Sequence, residues 1–215
     1  MSTIGRLAIL DFMTDVIDAE GFRANVGIVL MHDDGRVFLG RRSGGRGWQF
    51  PQGGVQQGEE PEQALYRELR EEIGLEAGDV TLAAATDGWM HYRLPPRYVR
   101  RDQSPLCIGQ KQRWFLLRLQ HPRSEFRFDH TELPEFDQWR WADFWEPVRE
   151  VIEFKRDVYR QALHQLGRAA FGDALPPYPD WWQSLSQATG RRARRSGSNS
   201  PAPSGASGGP AGRSG

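Results

Sequence analysis

The sequence has 215 residues, and its 28 Lys and Arg side chains balance 28 Asp and Glu side chains, so its formal net charge is zero. No apolar run approaches the length of a membrane span, residues 1–20 lack the pattern of a secretory signal, and the single cysteine, Cys107, excludes an intramolecular disulfide. The composition therefore predicts one domain of ordinary size in a cytoplasmic protein that has no membrane partner.

Four regions are predicted along the chain. Residues 1–20 form an N-terminal extension that we expect to lie outside the fold before about residue 13. Residues 21–172 carry the strand and helix patterns, and residues 173–190 form a C-terminal segment. Residues 191–215 form a tail with five Arg and no acidic residue. The tail has too few apolar groups to offset the entropy of ordering, so we expect it to be disordered, and a solubilising role is favoured over RNA binding.

Between residues 21 and 172, predicted strands are interspersed with two helices. The apolar run Val26–Met31, a turn and the run Arg36–Arg42 predict a hairpin. Apolar side chains at helical spacing predict a helix over Pro61–Ile73, with Pro61 near its start and Gly74 after its end. The remaining patterns predict strands at Val80–Ala85, Trp89–Leu94, Gln112–Leu119 and Gln138–Trp141, and a helix at Val148–Phe171. This pattern predicts an α/β fold with helices against a sheet.

Three carboxylates share one edge of the first predicted helix. Glu68 and Glu72 are four positions apart and Glu68 and Glu71 are three apart, which places all three close together on the helix surface. Their mutual repulsion would be relieved by a divalent cation, and oxygen ligands suit Mg²⁺ or Mn²⁺. On these three residues alone, a solvated acidic face compensated by Arg67 and Arg70 is the simpler interpretation.

The residues before the helix reverse that judgement. Counting from Gly53 gives five residues, Glu59, seven residues, and then the run Arg-Glu-Leu-Arg-Glu-Glu-Ile-Gly-Leu that ends at Leu75. This matches every defined position of the Nudix box, Gx5Ex7REUxEExGU, where U is a bulky aliphatic residue. The chain therefore resembles the Nudix hydrolases, and the resemblance implies a mixed β-sheet sandwiched between α-helices (α/β/α).

The resemblance implies a role for each residue of the box. Glu68 and Glu72 would be the primary metal ligands, Glu71 a ligand or base, and the Gly53 region a source of a backbone carbonyl. The structural members would be Gly54, which allows close backbone approach, Gly74, which ends the helix, and Glu59 and Arg67, which would form an ion pair.

The flanking sequences resemble a narrower family, the bacterial RNA pyrophosphohydrolases, from about residue 13 to about residue 170. The stretches that carry this resemblance are 21–27, 48–54, 108–112, 134–137 with 139–141, and 154–159. One departure is Ala24, where the family usually has Pro. The implied activity is Mg²⁺-dependent trimming of the 5′ polyphosphate end of RNA to a monophosphate, with Mn²⁺ as a substitute.

The same resemblance implies further site residues. Glu135 would supply another metal ligand, which leaves the general base open among Glu71, Glu72 and Glu135. Four residues would lie near the phosphates and leading nucleotides, namely Arg23, Arg42, Tyr92 and Lys155, and Phe154 would pack against a base. Lys111 is also predicted to bind substrate, because it and Lys155 are the only two lysines in an Arg-rich sequence and a lysine offers a compact positive charge for phosphate. The presence of two lysines by chance is an equally good explanation.

Two alternative functions stay open at this point. A dinucleoside polyphosphate hydrolase would use the same box, because both substrates present a nucleoside on a phosphate chain. A non-catalytic RNA-binding module is disfavoured because every ligand of the box is present. The sequence does not decide whether a protein activator takes part.

Overall fold

The computed structural model describes residues 16–45, 47–121 and 125–183. Within these residues, eight strands form one mixed sheet, and three α-helices accompany it. The strands are β1 (Phe22–Met31), β2 (Val37–Arg42), β3 (Trp48–Gln49), β4 (Gln52–Gly54), β5 (Val80–Ala85), β6 (Met90–Arg93), β7 (Gly109–Leu119) and β8 (Phe136–Ala142). The helices are α1 (Pro61–Ile73), α2 (Pro147–Glu150) and α3 (Arg156–Phe171).

Strand β1 is the centre of the sheet. One edge pairs in parallel with β7 along its whole length, from Phe22 opposite Gly109 to Met31 opposite Arg118. The other edge is divided between two antiparallel partners, because β4 pairs at residues 25–27 and β2 pairs at Met31. Strand β8 pairs antiparallel with β2, so β8 lies on the same side of β1 as β2 does.

Helices α1 and α3 cover opposite faces of this sheet. The apolar stripe of α1 packs in one buried cluster with Val26, Ile28 and Phe115. On α3, the Tyr159 ring lies 4.9 Å from the ring of Trp114, the neighbour of Phe115 in β7. Because successive strand residues point to opposite faces, the two helices lie on different sides of the sheet. The predicted sandwich of a mixed sheet between helices is confirmed.

The first predicted helix has the bounds expected from its sequence. Pro61 occupies the first turn, where its missing N–H costs no hydrogen bond, and Gly74 adopts φ 74° at the C-terminal end. The predicted hairpin is also present, since Met31 of β1 pairs with Val37 of β2. Strand β7 begins at Gly109, three residues earlier than predicted, and β8 extends two residues further at its start.

The second predicted helix, Val148–Phe171, is wrong as a continuous element. Helix α2 ends at Glu150, and Val151 and Ile152 are extended, with ψ 153° and 139°. A 3₁₀ turn at Glu153–Lys155 then leads into α3. Val151 is buried but Ile152 is 41% exposed. The helical spacing of apolar residues in the sequence therefore includes two residues whose backbone is not helical.

The predicted terminal regions are described only in part. Ile17 forms an antiparallel bridge with Arg23, and the carboxylate of Asp18 accepts hydrogen bonds from the N–H groups of Glu20 and Phe22. A second compact unit begins at Pro179, and within it Trp182 N–H donates to the Pro179 carbonyl over 2.9 Å. Residues 1–12 and the tail at 191–215 lie outside the described residues. No described helix is both long and apolar enough to cross a bilayer.

Candidate active site

The loop that precedes α1 brings Gly53 against Glu68. Gly53 lies on β4 opposite Val26, and the carboxylate of Glu68, a buried residue, lies directly over it. A Cβ at position 53 would lie 1.8 Å from the Glu68 carboxyl carbon, far inside any permitted contact. Only glycine at position 53 therefore allows the backbone and this carboxylate to occupy the same corner of the site.

Arg67 ties this loop to α1. Its guanidinium forms a two-point ion pair with Glu59, with both N–O distances at 2.9 Å, and donates to the Gly54 carbonyl over 2.7 Å. Its remaining nitrogen reaches Glu68 at 2.6 Å and Glu71 at 3.2 Å. One guanidinium thus anchors the loop, as the family resemblance implies for the pair with Glu59, and also neutralises two of the clustered carboxylates.

The other two carboxylates approach from different elements. Glu72 accepts a hydrogen bond from the backbone N–H of Gln52 over 3.0 Å. Glu135, immediately before β8, accepts bonds from Arg42 Nε at 3.0 Å and from Gln49 Nε2 at 2.9 Å. The pairing of β8 with β2 brings Glu135 beside Arg42 and so towards the α1 carboxylates.

Two of these carboxylates have pKa values that mark an unfavourable environment for negative charge. Burial raises the pKa of Glu68 to about 7, against the opposing effect of Arg67. The pKa of Glu72 lies well above its usual value, first because of burial and then because Glu68 and Glu135 add negative charge nearby. A bound cation would favour the ionised form of both groups.

The donor set fits a hard divalent cation. The groups around the Gly53 corner are carboxylate and carbonyl oxygens, which are the ligands such ions prefer. No three Asp, Glu, His or Cys side chains in residues 16–45, 47–121 and 125–183 form a ready-made metal site. Several of these carboxylates have protein partners instead: Arg67 contacts one oxygen of Glu68 and one oxygen of Glu71.

These carboxylates line one of two adjoining cavities, which we call the carboxylate cavity. It has a volume of about 320 Å³. Its lining residues are Arg23, Asn25, Arg42, Gln52, Gly53, Gly54, Gln56, Arg67, Glu68, Glu71, Glu72, Gln110 and Glu135. This cavity is almost entirely polar and contains both signs of charge, which suits an anionic ligand held through cations.

The second cavity, which we call the aromatic cavity, has a volume of about 340 Å³. Its lining residues are Arg42, Trp48, Gln49, Gln52, Tyr92, Leu94, Tyr98, Arg100, Gln110, Glu135, Val151, Ile152, Phe154 and Lys155. Arg42, Gln52, Gln110 and Glu135 line both cavities, and we call these four residues the shared wall. A ligand with a charged end and a flat end could occupy both cavities at once.

Aromatic rings and a buried cation line the aromatic cavity. The Phe154 ring lies between Tyr92 and Tyr98, with centroids 5.7 and 5.3 Å away. The Tyr92 hydroxyl donates to Gln110 Oε1 of the shared wall, and burial raises the pKa of this tyrosine. Burial, followed by the nearby Arg42, lowers the pKa of Lys155 to about 8, while Glu135 and Glu72 oppose that shift. Phe154 and Lys155 reach the cavity because the predicted long helix breaks just before them.

The structure brings most of the predicted site residues together. Arg23, Arg42, Tyr92, Phe154 and Lys155 all line one of the two cavities. Lys111 lines neither, and its Nζ instead pairs with Asp18 at 2.9 Å. Its binding role therefore stays a prediction that the geometry does not support.

Sequence reasoning missed the neutral part of the site. Gln49 and Gln52 hold Glu135 and Glu72, and Gln110 belongs to the shared wall. A usable signal existed, because all three glutamines lie in the stretches 48–54 and 108–112 that carry the family resemblance. Tyr98 gave no comparable signal, since it lies in none of those stretches.

Comparison with known proteins identifies the class. A family model described as NUDIX domain matches residues 21–164. The fold agrees, since an E. coli dihydroneopterin triphosphate pyrophosphohydrolase aligns with TM-score 0.52 at 22% identity over 64% of this chain and 92% of that chain. A Listeria monocytogenes NUDIX hydrolase aligns with TM-score 0.53 at 17% identity over 72% and 98%. The chain therefore belongs to the Nudix hydrolases.

Its curated relatives define the branch. A protein named RNA pyrophosphohydrolase from Alkalilimnicola ehrlichii is 51% identical over 180 residues, covering 84% of this chain and 99% of that protein. Another of the same name from Methylococcus capsulatus is 56% identical over 154 residues, covering 72% and 81%. Within the Nudix hydrolases, this chain is a member of the RNA pyrophosphohydrolase family.

Proposed function

We propose that this protein hydrolyses the 5′ polyphosphate end of RNA in the cytoplasm, leaving a 5′ monophosphate. The observation that supports this most directly is the shared wall. A cavity of clustered carboxylates adjoins a cavity of aromatic rings, and the same four side chains line both. A polyphosphate joined to a nucleoside is the kind of ligand that spans such a pair, and the named relatives are RNA pyrophosphohydrolases.

Mg²⁺ is the proposed metal, with Mn²⁺ able to replace it. Glu68, Glu71, Glu72, Glu135 and the Gly53 carbonyl would hold it. The chemistry supplied by bound Mg²⁺ is neutralisation of phosphate charge and stabilisation of the charge that develops as an anhydride bond breaks. The raised pKa values of Glu68 and Glu72 support this assignment, because both groups gain from a neighbouring cation.

The reaction is a displacement at phosphorus. A water oxygen forms a bond to a phosphorus of the 5′ chain, the anhydride P–O bond breaks, and pyrophosphate or a single phosphate leaves. One of Glu71, Glu72 and Glu135 accepts the proton from the water, and Arg23 and Arg42 hold the phosphate oxygens in place. Lys155 adds a compact positive charge at the junction with the aromatic cavity.

The aromatic cavity would bind the leading nucleotides. The rings of Phe154, Tyr92 and Tyr98 offer flat apolar faces, and unpaired bases stack on such faces in single-stranded RNA complexes. Stacking of this kind is available only to a substrate with a nucleoside attached to the phosphates. Free inorganic polyphosphate is therefore expected to be a poor substrate.

The test uses the variant Glu72→Gln. The amide keeps an oxygen that can accept the Gln52 N–H bond, so the fold is retained while the negative charge is lost. We expect turnover of 5′-triphosphate RNA to fall roughly 100-fold or more, because metal ions contribute several kcal/mol to such reactions. Calorimetric titration with Mn²⁺ should show the matching loss of metal binding.

Glu62→Gln is the matched control, because Glu62 lies exposed in the first turn of the same helix. Its kcat should equal that of the unaltered protein. Retention of full activity and Mn²⁺ binding by Glu72→Gln would contradict the metal assignment. A comparison of kcat/KM for triphosphate RNA and diadenosine tetraphosphate then separates the two substrate classes, and a higher value for the latter would contradict the proposed function.

A further inference from the structure

A basic segment extends from the rim of the aromatic cavity. Residues 93–101, which we call the arginine arm, contain Arg93, Arg97, Arg100 and Arg101 and no acidic residue. All four arginines are exposed. Between Gly88 and Gln110 the chain has one acidic residue, Asp102, so the arm keeps a clear excess of positive charge in a protein whose formal net charge is zero.

The arm is continuous with the aromatic cavity. Tyr98 and Arg100 belong to the cavity lining, and the Tyr98 ring is 42% exposed while lying 5.3 Å from Phe154. The Arg97 guanidinium lies 5.0 Å from the centre of the Tyr98 ring. Arginines interleaved with a partly exposed ring are typical of surfaces that bind single-stranded nucleic acid.

The backbone holds the arm in a defined position. It begins in β6, which pairs with β7, and Leu94 N–H donates to the Ile108 carbonyl over 2.9 Å. A 3₁₀ turn follows, in which Tyr98 N–H donates to the Pro95 carbonyl over 2.8 Å. Among the described residues, neither Arg97 nor Arg101 forms an ion pair with an acidic side chain. Both guanidiniums therefore remain available to an external anion.

We propose that the arginine arm binds the phosphodiester backbone of RNA downstream of the nucleotides held in the aromatic cavity. This rests on the proposed function. The cavity, at about 340 Å³, lies at the low end of the range for a single drug-sized ligand, so a longer RNA must leave over the rim. The arm lies at that rim, and its guanidiniums can pair with phosphates without regard to sequence.

The proposal distinguishes RNA from dinucleoside polyphosphates. A dinucleoside polyphosphate has no phosphodiester beyond its nucleosides and gains nothing from the arm. RNA of about ten nucleotides gains contacts that an RNA of two nucleotides lacks. Affinity should therefore depend on the length of the RNA, and the added affinity should weaken with salt, since each phosphate contact on a single strand contributes a slope of about −0.7 in log K against log salt.

The test compares the double variant Arg97→Gln/Arg101→Gln with the unaltered protein on 5′-triphosphate RNAs of two and twelve nucleotides. Arg100 is left in place because it lines the cavity. We expect KM for the twelve-nucleotide RNA to rise roughly 2- to 30-fold, as two exposed charge pairs allow, with kcat unchanged. The salt slope for that RNA should become shallower by about 1.4. The two-nucleotide RNA should show neither effect.

The matched control is Arg36→Gln/Arg168→Gln, which removes two exposed positive charges. Arg168 lies 12 residues into α3, about 18 Å along the axis from its start beside Lys155. Arg36 follows Gly35, whose position is close to Phe171 at the far end of the same helix. This double variant should leave both RNAs unaffected, which separates local contacts from the change in net charge.

A binding measurement keeps the two proposals separate. Fluorescence anisotropy with a twelve-nucleotide 5′-monophosphate RNA, which is the product, reports the arm whether or not hydrolysis occurs. Absence of hydrolysis for RNA of either length would contradict the proposed function alone. Equal affinity and salt slope for the unaltered protein and Arg97→Gln/Arg101→Gln would overturn the proposal that the arm binds RNA. The alternative partner for these guanidiniums would then be an acidic protein surface.

Discussion

Gly40 on β2 lies directly over the ring of Phe136 on β8. A Cβ at position 40 would lie 2.5 Å from Phe136 Cδ1, and Phe136 itself is fully buried. The backbone of β2 thus rests on an aromatic ring next to Glu135. The bare glycine allows β8 to pack in the position that presents this carboxylate to the shared wall.

Gly40→Ala should therefore destabilise the fold and displace Glu135. We expect the free energy of unfolding to fall by about 1–3 kcal/mol, the usual cost of overpacking a filled core. Urea unfolding measures the loss, and the residual activity of the folded fraction measures the displacement. Gly88→Ala is the control, because a Cβ there meets nothing within 4 Å. An unfolding free energy equal to that of the unaltered protein would contradict this packing argument.

Gly53→Ala should act on activity more than on the fold. The added methyl would occupy the place of the Glu68 carboxylate, 1.8 Å from its carboxyl carbon, and would force this side chain away. A displacement of about 1 Å at a catalytic group can reduce the rate roughly 100-fold. We expect a loss of that size in kcat, accompanied by weaker Mn²⁺ binding in calorimetry.

The control for this change is Gly78→Ala, since position 78 also faces open space. It should retain both the rate and the metal affinity of the unaltered protein. If Gly53→Ala kept full kcat, the close approach of Gly53 and Glu68 would have no part in catalysis.

Lys155 should make the stability of the metal-free protein depend on pH. Its pKa falls from 10.5 to about 8 in the folded state, chiefly through burial. Between those values the unfolded chain binds more protons than the folded chain, so stability rises as pH increases from about 8 to 10.5. At 1.36 kcal/mol per pKa unit, the rise is about 3 kcal/mol at most.

Lys155→Met should remove this rise and make the protein more stable at pH 7, at the expense of a higher KM for polyphosphate. Urea unfolding at several pH values between 7.5 and 10.5 checks the prediction. Lys111→Met is the matched control, because Lys111 is the other lysine of the chain and lies paired with Asp18 outside both cavities. The control should keep the pH slope, and a slope retained in Lys155→Met would show that another group is responsible.

Phe154→Leu should weaken the binding of RNA while leaving the chemical step intact. The substitution keeps an apolar side chain and removes the flat face between Tyr92 and Tyr98. Base stacking contributes about 1–3 kcal/mol per base, so KM should rise roughly 5- to 150-fold with little change in kcat. Steady-state kinetics on short triphosphate RNA provide the measurement.

Phe171→Leu serves for comparison, since the Phe171 ring packs against Phe144 at the opposite end of α3. It should leave KM unchanged. An unaltered KM in Phe154→Leu would mean that no base lies against this ring.

The elements predicted from the sequence alone were those whose signals are local. Helix α1 has its own apolar stripe, Pro61 at its start and Gly74 at its end, and its bounds were correct. Strands β3 and β4 have only two and three residues, too short for a sequence pattern, and β4 exists because β1, far earlier in the chain, provides its partner. The break after α2 was not predicted, because Val151 and Ile152 are apolar residues at helical spacing and nothing in that spacing indicates their extended backbone.

The site divides in the same way. The α1 carboxylates follow from helical spacing and the Nudix box, while Glu135 depends on the pairing of β8 with β2 and entered only through the family resemblance. Gln52 and Gln110 carry no charge, so no electrostatic pattern in the sequence distinguished them from ordinary surface residues. Lys111 follows Gln110 in β7, and successive residues of a strand point to opposite faces, so its side chain lies apart from the shared wall and its binding role stays a prediction.

The shared wall also limits how this protein can change during evolution. Gln52 and Gln110 belong to both cavities, so a substitution that adapts them to another base alters the surroundings of the phosphates in the same event. Positions such as Trp48, Tyr98 and Ile152 line the aromatic cavity alone. Substitutions at these positions can therefore change the nucleotide preference with little effect on hydrolysis. The shared wall is more constrained, because its residues must suit both the bound nucleotide and the phosphates.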